Sequence, residues 1–529
     1  MASAKTKKKK TSKKVAAIRN TVIIVIVLCI AAYFINLSGI VPLLMNGVTI
    51  YTTPAGGTKT VKEKVSVTEL QYKYVETFNM YTFYGIIDKD NPKLDEKSTS
   101  NAKYTNYEFL MDNAASSLET NILYNDAAKA AGYESKSNAK RAAEINLENL
   151  KESAKQSNYN NVTMYLQGAY GNGMSVRKFK ECVERETLAE EYQNYVKQFE
   201  CTPSQEEIQS TFDKSPRSFD VVNCNYYLIP YTSDEGKDPT DENKAAVKKA
   251  AQAVIDKATD SKSFRDETLA QLTELKLDGA VAAFNNDADP TIHEKLKTEN
   301  ANFSSTEVNA FFFGGTAKAG DKKIVETTDG VYALLFNSIG PDTEKNASFR
   351  KITLGNKLAE DENEKAEKIK AEAEKIRATA DSLAQNAGDE ENFIKLVKDN
   401  STELTEITSG GFDEAVKESD YKDAGNSAED ADEEAKIDDA NEKALGEWLF
   451  SADRKKGDTL VQTAGDNSEV VIYYFDTVRE GWQQEIFEKL RDEKYSEWSK
   501  KITEGNTLSH QVHFKTMKYL NRTFGNDRY

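Results

Sequence analysis

The chain has 529 residues, of which 39% are hydrophobic and 30% are charged, and its formal net charge is -17. This length permits two to four domains with cores of their own, and the composition is typical of soluble, helix-rich domains rather than of a protein that crosses a membrane many times. Because the first 20 residues hold eight basic side chains and no acidic one, the rest of the chain carries -25, which argues against binding to nucleic acid.

The N-terminal segment is the one localisation signal in the sequence. Residues 1–20 are basic, and the run from Thr21 to Leu37 is apolar and continues through Leu44 without a charged residue. We therefore expect a cytoplasmic tail over residues 1–20, a transmembrane anchor over residues 21–44, and the bulk of the chain outside the cytoplasm at the cell membrane. A cleaved signal peptide is the alternative, because it shares the basic start and the apolar run.

Residues 45–217 are predicted to form a mainly helical domain. Aromatic and apolar residues recur there at helical spacing, and we expect this stripe to be core, because an amphipathic helix buries one side. The predicted helices are Thr68 to Tyr84, Tyr107 to Ala131, Asn138 to Ser157, Ser175 to Phe199, and Ser204 to Phe212.

The cysteines and histidines give no metal or cofactor signal, and we expect neither group. Cys29 lies in the apolar run, and the other three cysteines are spaced as buried or free thiols, with a bridge between Cys182 and Cys201 left open. His510 and His513 stand three residues apart without further ligands, which is typical of tail residues.

One pattern occurs twice, in Ala310 to Phe336 and in Trp448 to Phe475. Each copy has an apolar helix-like end, a Gly-Asp pair seven residues later, a short apolar strand, and a strand rich in β-branched and aromatic residues. Such a self-match indicates duplicated modules. With the strand and helices that precede it, each copy predicts an α+β module with an antiparallel sheet covered by helices, over residues 218–341 and 347–480.

The C-terminal part, residues 481–529, is predicted to be a helix followed by a tail. The amphipathic segment Gly481 to Ile502 is expected to pack on the helical domain. The tail from Leu508 to Tyr529 is expected to be solvated, or to contact a membrane surface or an acidic partner. Within the second module, the acidic stretch Asp413 to Glu442 is expected to be a solvated loop.

Several short segments carry motifs of one family. Met45 to Ile50 is similar to a first strand written V-N-G-x-x-I, and Ser204 to Phe219 is similar to a segment that leads from a helical domain into a parvulin domain. In the second module the parvulin-like motifs are Arg350 to Leu354, Gly410-Gly411, Gly457-Asp458, and Glu469 to Ile472. In this order the chain resembles the chaperone-isomerases of the SurA, PrsA and PpiD type. The resemblance implies a helical chaperone domain followed by two parvulin-type prolyl isomerase domains.

The family's catalytic cleft carries two histidines, one on the first strand and one on the last. In the second module those positions fall on Lys351 and Val470, and in the first they fall near Tyr227 and Tyr332. The resemblance therefore implies degenerate modules in which isomerase activity is weak or lost. It suggests Phe412, Phe450 and Tyr227 as substrate-binding residues.

The sequence thus predicts a folding factor that binds unfolded or nascent exported polypeptides through the helical domain and the parvulin-like modules. An active prolyl isomerase with Lys351 or a tyrosine in the histidine role is one alternative. A non-catalytic scaffold for one fixed partner is another.

Overall fold

Three antiparallel sheets, with helices packed on them, make the chain an α+β protein. The computed structural model describes residues 25–523 apart from 29, 33, 35–37, 55–56, 232–238, 287–291, 297–302, 304, 360–363, 423 and 426–430. The strands in these ranges are β1 (Asn46–Pro54), β2 (Val61–Ser66), β3 (Asp220–Pro230), β4 (Ile292–Leu296), β5 (Lys322–Glu326), β6 (Gly330–Pro341), β7 (Lys345–Gly355), β8 (Phe412–Lys417), β9 (Thr459–Thr463), β10 (Glu469–Glu480) and β11 (Asn506–Val512).

The α-helices from residue 40 onwards fall into three groups along the chain. The first group is α1 (Ile40–Leu44), α2 (Val67–Phe83), α3 (Asn106–Ala130), α4 (Ala139–Gln156), α5 (Val162–Tyr170), α6 (Val176–Tyr195) and α7 (Gln205–Lys214). The second is α8 (Asp241–Lys257), α9 (Ser261–Glu274), α10 (Asp278–Asn286), α11 (Thr306–Phe313), α12 (Ala366–Gln385), α13 (Glu390–Asn400), α14 (Leu404–Ser409) and α15 (Glu433–Leu449). The last is α16 (Gly481–Glu504) and α17 (Phe514–Thr523).

Both ends of the chain build one helical body. Strand β1 lies between β2 and β11, so that Val48 pairs with Val512 and Pro54 pairs with Asn506. Helices α2 and α3 pack on this sheet, and α17 adds Met517, which is fully buried, to the same core. Helices α4 to α7 pack beside them in neighbouring clusters. We call α1 to α7, α16, α17 and the three-stranded sheet the helical body.

Helix α16 packs on the other helices of the helical body, as the sequence predicted. The ring of Trp498 stacks on Tyr124 with centroids 5.6 Å apart, and Tyr124 Oη and Ser499 Oγ lie 2.7 Å apart in a hydrogen bond. Up to residue 523 the expectation of a solvated tail was wrong, because residues 506–512 form strand β11 and residues 514–523 form helix α17. Residues 524–529 lie outside the described residues. Their apolar side chains enter the core, which a solvated tail cannot do.

The two central sheets have the same topology. Their strand orders are β4-β3-β6-β5 and β8-β7-β10-β9. When the four strands of each sheet are numbered along the chain, both orders are 2-1-4-3. We call residues 220–341 the first module and residues 345–480 the second module. In both, helices fill the connection between the first and second strands, and one more helix leads to the third strand.

The registers of the two sheets match as well. An extra residue interrupts the pairing of the first and fourth strands in each module, Asn337 in the first and Asp476 in the second. Counted from this bulge, Tyr226 occupies the position of Lys351. A β-bulge sets the local bend and twist of a sheet, so both modules curve at the same place.

Helices cover both faces of the second module's sheet, but unequally. Helices α12 and α13 bury one face, where Ile352, Val470 and Ile472 are fully buried. Helix α15 lies on the other face and contributes Leu445 and Leu449. We call these the core face and the open face.

The acidic stretch Asp413 to Glu442 is therefore not a solvated loop over most of its described length. Residues 412–417 form edge strand β8, and α15 begins at Glu433. Asp432 caps this helix by accepting a hydrogen bond from Ala435 N at 2.8 Å, and acidic residues in the first turn favour its N-terminus. The acidic composition correctly indicated that much of this stretch is exposed. It wrongly indicated a loop where the chain forms a strand and a helix.

The expected transmembrane helix over residues 21–44 is also corrected. In the part of the chain that the structure describes, none of the helices combines the length and the apolar character that crossing a bilayer requires. Gly39 has a left-handed φ of 68° directly before α1, which separates that short helix from the helical residues 30–32 and 34. Residues 1–24, 29, 33 and 35–37 lie outside the described residues. The predicted single-pass location depended on this helix and loses its support.

The cysteines that the structure describes are buried and are not joined in a disulfide. Cys182, Cys201 and Cys224 each lie in a different apolar cluster, so the bridge between Cys182 and Cys201 that the sequence left open does not form. Burial raises the pKa of Cys224 to about 12, which keeps its thiol protonated and unreactive.

His510 links the C-terminal strand to helix α3 and predicts a pH dependence of stability. Its ring nitrogens lie 2.7 Å from Glu119 Oε2 and 3.2 Å from Asp112 Oδ1. The hydrogen bond to Glu119, with help from Asp112, raises the pKa of His510 although partial burial acts to lower it. The stabilisation is therefore fully present below the unfolded pKa of about 6.5 and is lost as pH rises through the raised folded value.

We expect His510→Gln to lower the free energy of unfolding by about 1 kcal/mol at pH 6, and by less at pH 9. Urea unfolding at both pH values measures the difference. His513→Gln is the matched control, because His513 lies beside the neutral side chains of Asn46 and Thr49. A loss for His510→Gln that is the same at both pH values would contradict the prediction.

Candidate functional site

The open face of the second module carries the first candidate site. Lys351 on β7 and Tyr473 on β10 are paired directly across the sheet, so their side chains lie on the same face. Lys351 Nζ forms an ion pair with Asp413 Oδ2 on edge strand β8 at 3.0 Å. Tyr421 and Phe450 flank these residues from the apolar cluster under helix α15. A half-buried ammonium, carboxylate and phenol thus meet on a partly aromatic surface.

The phenols at this site are neutral hydrogen-bonding groups. Burial raises the pKa of Tyr473, and the nearby Tyr421, Glu469 and Asp413 raise it further. Burial also raises the pKa of Tyr421 to about 12, with Glu442, Asp420 and Asp413 acting in the same direction. These phenols can donate a hydrogen bond at neutral pH, but they do not act there as general bases.

The structure does not bring Val470 to this site. Val470 is fully buried, pairs with Leu354, and packs on the core face beside Phe393. Because side chains alternate between faces along a strand, Val470 and Tyr473, three positions apart, point in opposite directions. The residue opposite Lys351 is therefore Tyr473, which the sequence analysis missed. The signal that could have found it is the pairing register of β7 and β10.

The three predicted substrate-binding residues lie in three different places. Phe450 borders the open face, 6.2 Å from Tyr421 between ring centroids. Phe412 pairs with Arg350 and packs on its guanidinium group at 5.3 Å, away from Lys351. Tyr227 belongs to the first module and packs against Phe284 in the core under helices α8 to α10.

In the first module the equivalent face is filled by aromatic rings. Tyr226, at the position of Lys351, contacts Phe303, Phe312 and Tyr332 with ring centroids 4.8, 6.2 and 6.4 Å away. Burial raises the pKa of Tyr226 to about 12, with Cys224 and Tyr332 adding to the effect. This face is an apolar core rather than a polar cleft, so the two modules differ in what they can bind.

A second candidate site lies between the helical body and the second module. This cavity has a volume of about 750 Å³, and we call it the body–module cleft. Its walls come from the C-terminal half of α6 and the π-helical turn Val196–Glu200 on one side, and from α13 on the other. The side chains that face it include Tyr133, Lys136, Tyr195, Phe199, Asp389, Glu391, Lys395 and Asp399.

Arg350 forms one fixed contact beneath this cleft. Its guanidinium donates to Glu390 Oε1 at 2.8 and 3.0 Å, to Gly410 O at 3.0 Å, and to Gln198 Oε1 of the helical body at 3.0 Å. The rings of Phe199 and Phe412 lie 5.5 and 5.3 Å from it. Arg350 is 2% exposed, and its donors are matched to acceptors, as a buried charge requires.

The neighbouring positive charges determine the protonation state of Glu390 in this contact. Burial acts to raise the pKa of Glu390, but Arg350 and Lys456 together hold it below its usual value. The carboxylate therefore stays ionised around neutral pH beside the guanidinium.

Lys398 forms a second fixed contact, and Arg141, Asn194 and Gln198 of the helical body also donate hydrogen bonds to backbone carbonyls of the second module. Its ammonium donates to Tyr133 Oη at 2.9 Å, to the Lys136 carbonyl at 3.1 Å, and to Glu191 Oε2 at 3.3 Å, all in the helical body. Burial lowers the pKa of Lys398 and raises that of Glu191, so each charge depends on the other. Sequence reasoning missed both contacts, because neither has a local motif.

No protein-family model matches the chain, and a search of curated proteins finds no match. The likeness to chaperone-isomerases therefore rests on the motifs quoted above and remains a hypothesis about function.

Removing the Arg350 side chain should separate the second module from the helical body. We expect Arg350→Ala to lower the free energy of unfolding by about 3–5 kcal/mol, because Glu390 would keep a partly buried charge without this partner. Arg350→Lys should also destabilise, since one ammonium cannot replace three donors that point in fixed directions. Urea unfolding followed by circular dichroism measures both changes.

Lys351→Ala is the matched control for Arg350, because the neighbouring side chain points to the open face and is 37% exposed. Its ion pair with Asp413 should contribute about 1 kcal/mol at most. Equal losses for the Arg350→Ala and Lys351→Ala variants would contradict the role assigned to Arg350.

Proposed function

We propose that this protein is a polypeptide-binding folding factor of the SurA, PrsA and PpiD type, with prolyl isomerase activity that is weak or lost. One observation carries the proposal: two modules with the same strand order, register and bulge are inserted into a helical body that both ends of the chain complete. Two sheet modules held on one helical body can present several binding surfaces to one flexible client.

The surfaces of the protein support binding to unfolded segments. Exposed large apolar side chains occur in a cluster at the end of α2, where Met80, Phe83, Tyr84 and Ile86 are 49, 85, 69 and 56% exposed. The open face and the body–module cleft add half-buried aromatic surface with polar groups beside it. Unfolded polypeptides expose apolar side chains and unpaired backbone groups, so mixed surfaces of this kind suit them.

The chemistry of the modules supports weak catalysis at best. Prolyl isomerisation must lower a barrier of roughly 20 kcal/mol by stabilising a twisted amide. The first module offers a filled aromatic face. At the two positions where the family has imidazoles, the second module has the ammonium of Lys351 and the buried side chain of Val470. An ammonium held by Asp413 is poorly suited to exchange protons or to cover an apolar prolyl ring.

Aggregation of a chemically denatured client protein, followed by light scattering after dilution, tests the proposed chaperone function. The full chain at a molar ratio near one should suppress scattering, because its grooves compete with client self-association. Unchanged scattering at an excess of the protein would contradict the proposal. Crosslinking in cells separates the scaffold alternative: many unrelated neighbours favour a chaperone, whereas one stoichiometric neighbour favours a scaffold.

An active prolyl isomerase is the second candidate, and the pairing of Lys351 with Tyr473 beside Asp413 is the observation that favours it. A protease-coupled assay on a proline peptide measures the activity. If this candidate is right, Lys351→Ala and Tyr473→Phe should each reduce kcat/KM by about tenfold or more. Lys345→Ala, an exposed lysine on the same strand, is the matched control. Acceleration that survives both substitutions, or none at high protein concentration, would exclude this site as catalytic.

A further inference from the structure

The body–module cleft has one wall made of aromatic rings. Tyr133 and Tyr195 have centroids 5.0 Å apart, and Tyr195 and Phe199 have centroids 5.3 Å apart, so the three rings form a continuous surface. Phe199 is 40% exposed although it is a large apolar side chain at the edge of a cavity. Aromatic faces bind apolar groups through burial and bind cations through the negative charge on the ring face.

The opposite wall carries carboxylates. Asp389, Glu391 and Asp399 are exposed on or next to helix α13, and each retains oxygen lone pairs that its present contacts do not use. Glu391 is paired with Lys136 across the cleft at 3.6 Å, and both side chains are more than half exposed. Asp399 accepts a hydrogen bond from Asn138 Nδ2 at 3.0 Å. These contacts across the cleft are exposed, so they contribute little to the stability of the fold, and a ligand can replace them.

The charged side chains beneath the cleft already form ion pairs with one another. Glu191 is paired with Lys398, and Glu390 is paired with Arg350 and Lys456. The exposed lining that remains consists of three carboxylates, Asp389, Glu391 and Asp399, facing the ammonium groups of Lys136 and Lys395. The excess among these lining side chains is one negative charge, and Arg141, outside the lining, also lies near Asp399. The whole chain carries a net charge of -17.

A cation that already occupies the aromatic wall indicates what the cleft prefers. Lys136 Nζ lies 5.6 Å from the centre of the Tyr195 ring while it also approaches Glu391. The protein's own side chain thus places an ammonium group between an aromatic ring and a carboxylate. A lysine or arginine of a bound chain can make the same two contacts, at Tyr195 and Glu391, by displacing Lys136.

We propose that the body–module cleft binds extended polypeptide segments in which basic residues alternate with aromatic or aliphatic ones. This proposal deepens the proposed chaperone function and rests on it. A volume of about 750 Å³ suits a short segment of chain rather than a folded domain. Basic side chains lie between the rings and the carboxylates, while the apolar side chains cover Tyr195 and Phe199.

Fluorescence anisotropy with labelled, unstructured peptides tests the proposal on the full chain. One peptide alternates lysine or arginine with leucine and tryptophan, and the matched peptide has glutamate at every basic position. Glu391→Lys/Asp399→Lys should weaken binding of the basic peptide by about tenfold. Glu374→Lys/Glu447→Lys is the matched control, because it changes the net charge equally at exposed positions of helices α12 and α15. The control should leave the affinity unchanged.

Equal weakening by the two charge-reversed variants would overturn the proposal, because the whole chain's charge rather than the cleft would then attract the peptide. Equal affinity for the basic and acidic peptides would overturn it as well. Urea midpoints that match the unchanged protein show that the variants are folded. A photo-crosslinking residue in place of Lys395 gives a second readout, and it should label the basic peptide.

The aggregation assay separates this inference from the proposed function. If the unchanged protein suppresses aggregation and the Glu391→Lys/Asp399→Lys variant does so equally for a basic client, the cleft inference fails and the chaperone function stands. If the unchanged protein suppresses nothing, the chaperone function itself fails.

Discussion

The pairing of strand β1 with strand β11 is the constraint on which the rest of the structure depends. It joins residues separated by more than 450 positions in the chain, and it brings helix α17 into the same core as α2 and α3 and helix α16 against Tyr124 of α3. Everything between α7 and α16 is therefore an insertion whose two ends return to one place. Closing so long a loop has a large entropic cost, which burial of residues such as Trp498 and Met517 in the helical body must offset.

Within that insertion, duplication has preserved the backbone and changed the side chains. Both modules keep the same strand order and the same bulge, at Asn337 and Asp476, because these features determine how the sheet bends and how the helices cover it. The side chains on the open face of the second module, and on the equivalent face of the first, do not determine how the sheet bends. In the first module this face is occupied by Tyr226 and its neighbouring rings, and in the second it holds Lys351 paired with Asp413. One backbone thus supports an apolar core in one module and a polar surface in the other.

Two buried cations, Arg350 and Lys398, are central to the attachment of the second module to the helical body, alongside hydrogen bonds from Arg141, Asn194 and Gln198. Each meets several oriented acceptors at once, which gives the contact a defined geometry rather than a sliding apolar surface. The cleft above these contacts is consequently a structural feature with stable walls. Its aromatic wall belongs to the helical body and its carboxylate wall belongs to α13, so its chemistry exists only while the two parts remain attached.

Sequence reasoning identified the parts of the chain whose evidence is local. The amphipathic helices, the repeated pattern in Ala310 to Phe336 and Trp448 to Phe475, and the return of α16 to the helical body all follow from periodicity and spacing. It missed the sheet-forming and helical nature of the tail, because a short strand such as β11 is defined by its partner and not by its own pattern. It also took the apolar N-terminal run as one spanning helix, although Gly39 separates α1 from the helical residues before it.

The candidate sites show the same division. Lys351 could be named from its place on a first strand, but choosing its partner required the pairing register, which distinguishes Tyr473 from Val470. By itself, the sequence determined the strongly amphipathic helices but not α15 or α17, and it determined which units are repeated and that the chain is acidic. Only the tertiary structure decided which face each strand residue occupies and that Arg350 and Lys398 attach the second module beneath a cleft. The physical reason is that pairing register and interdomain contacts depend on residues far apart in the chain, for which local periodicity carries no information.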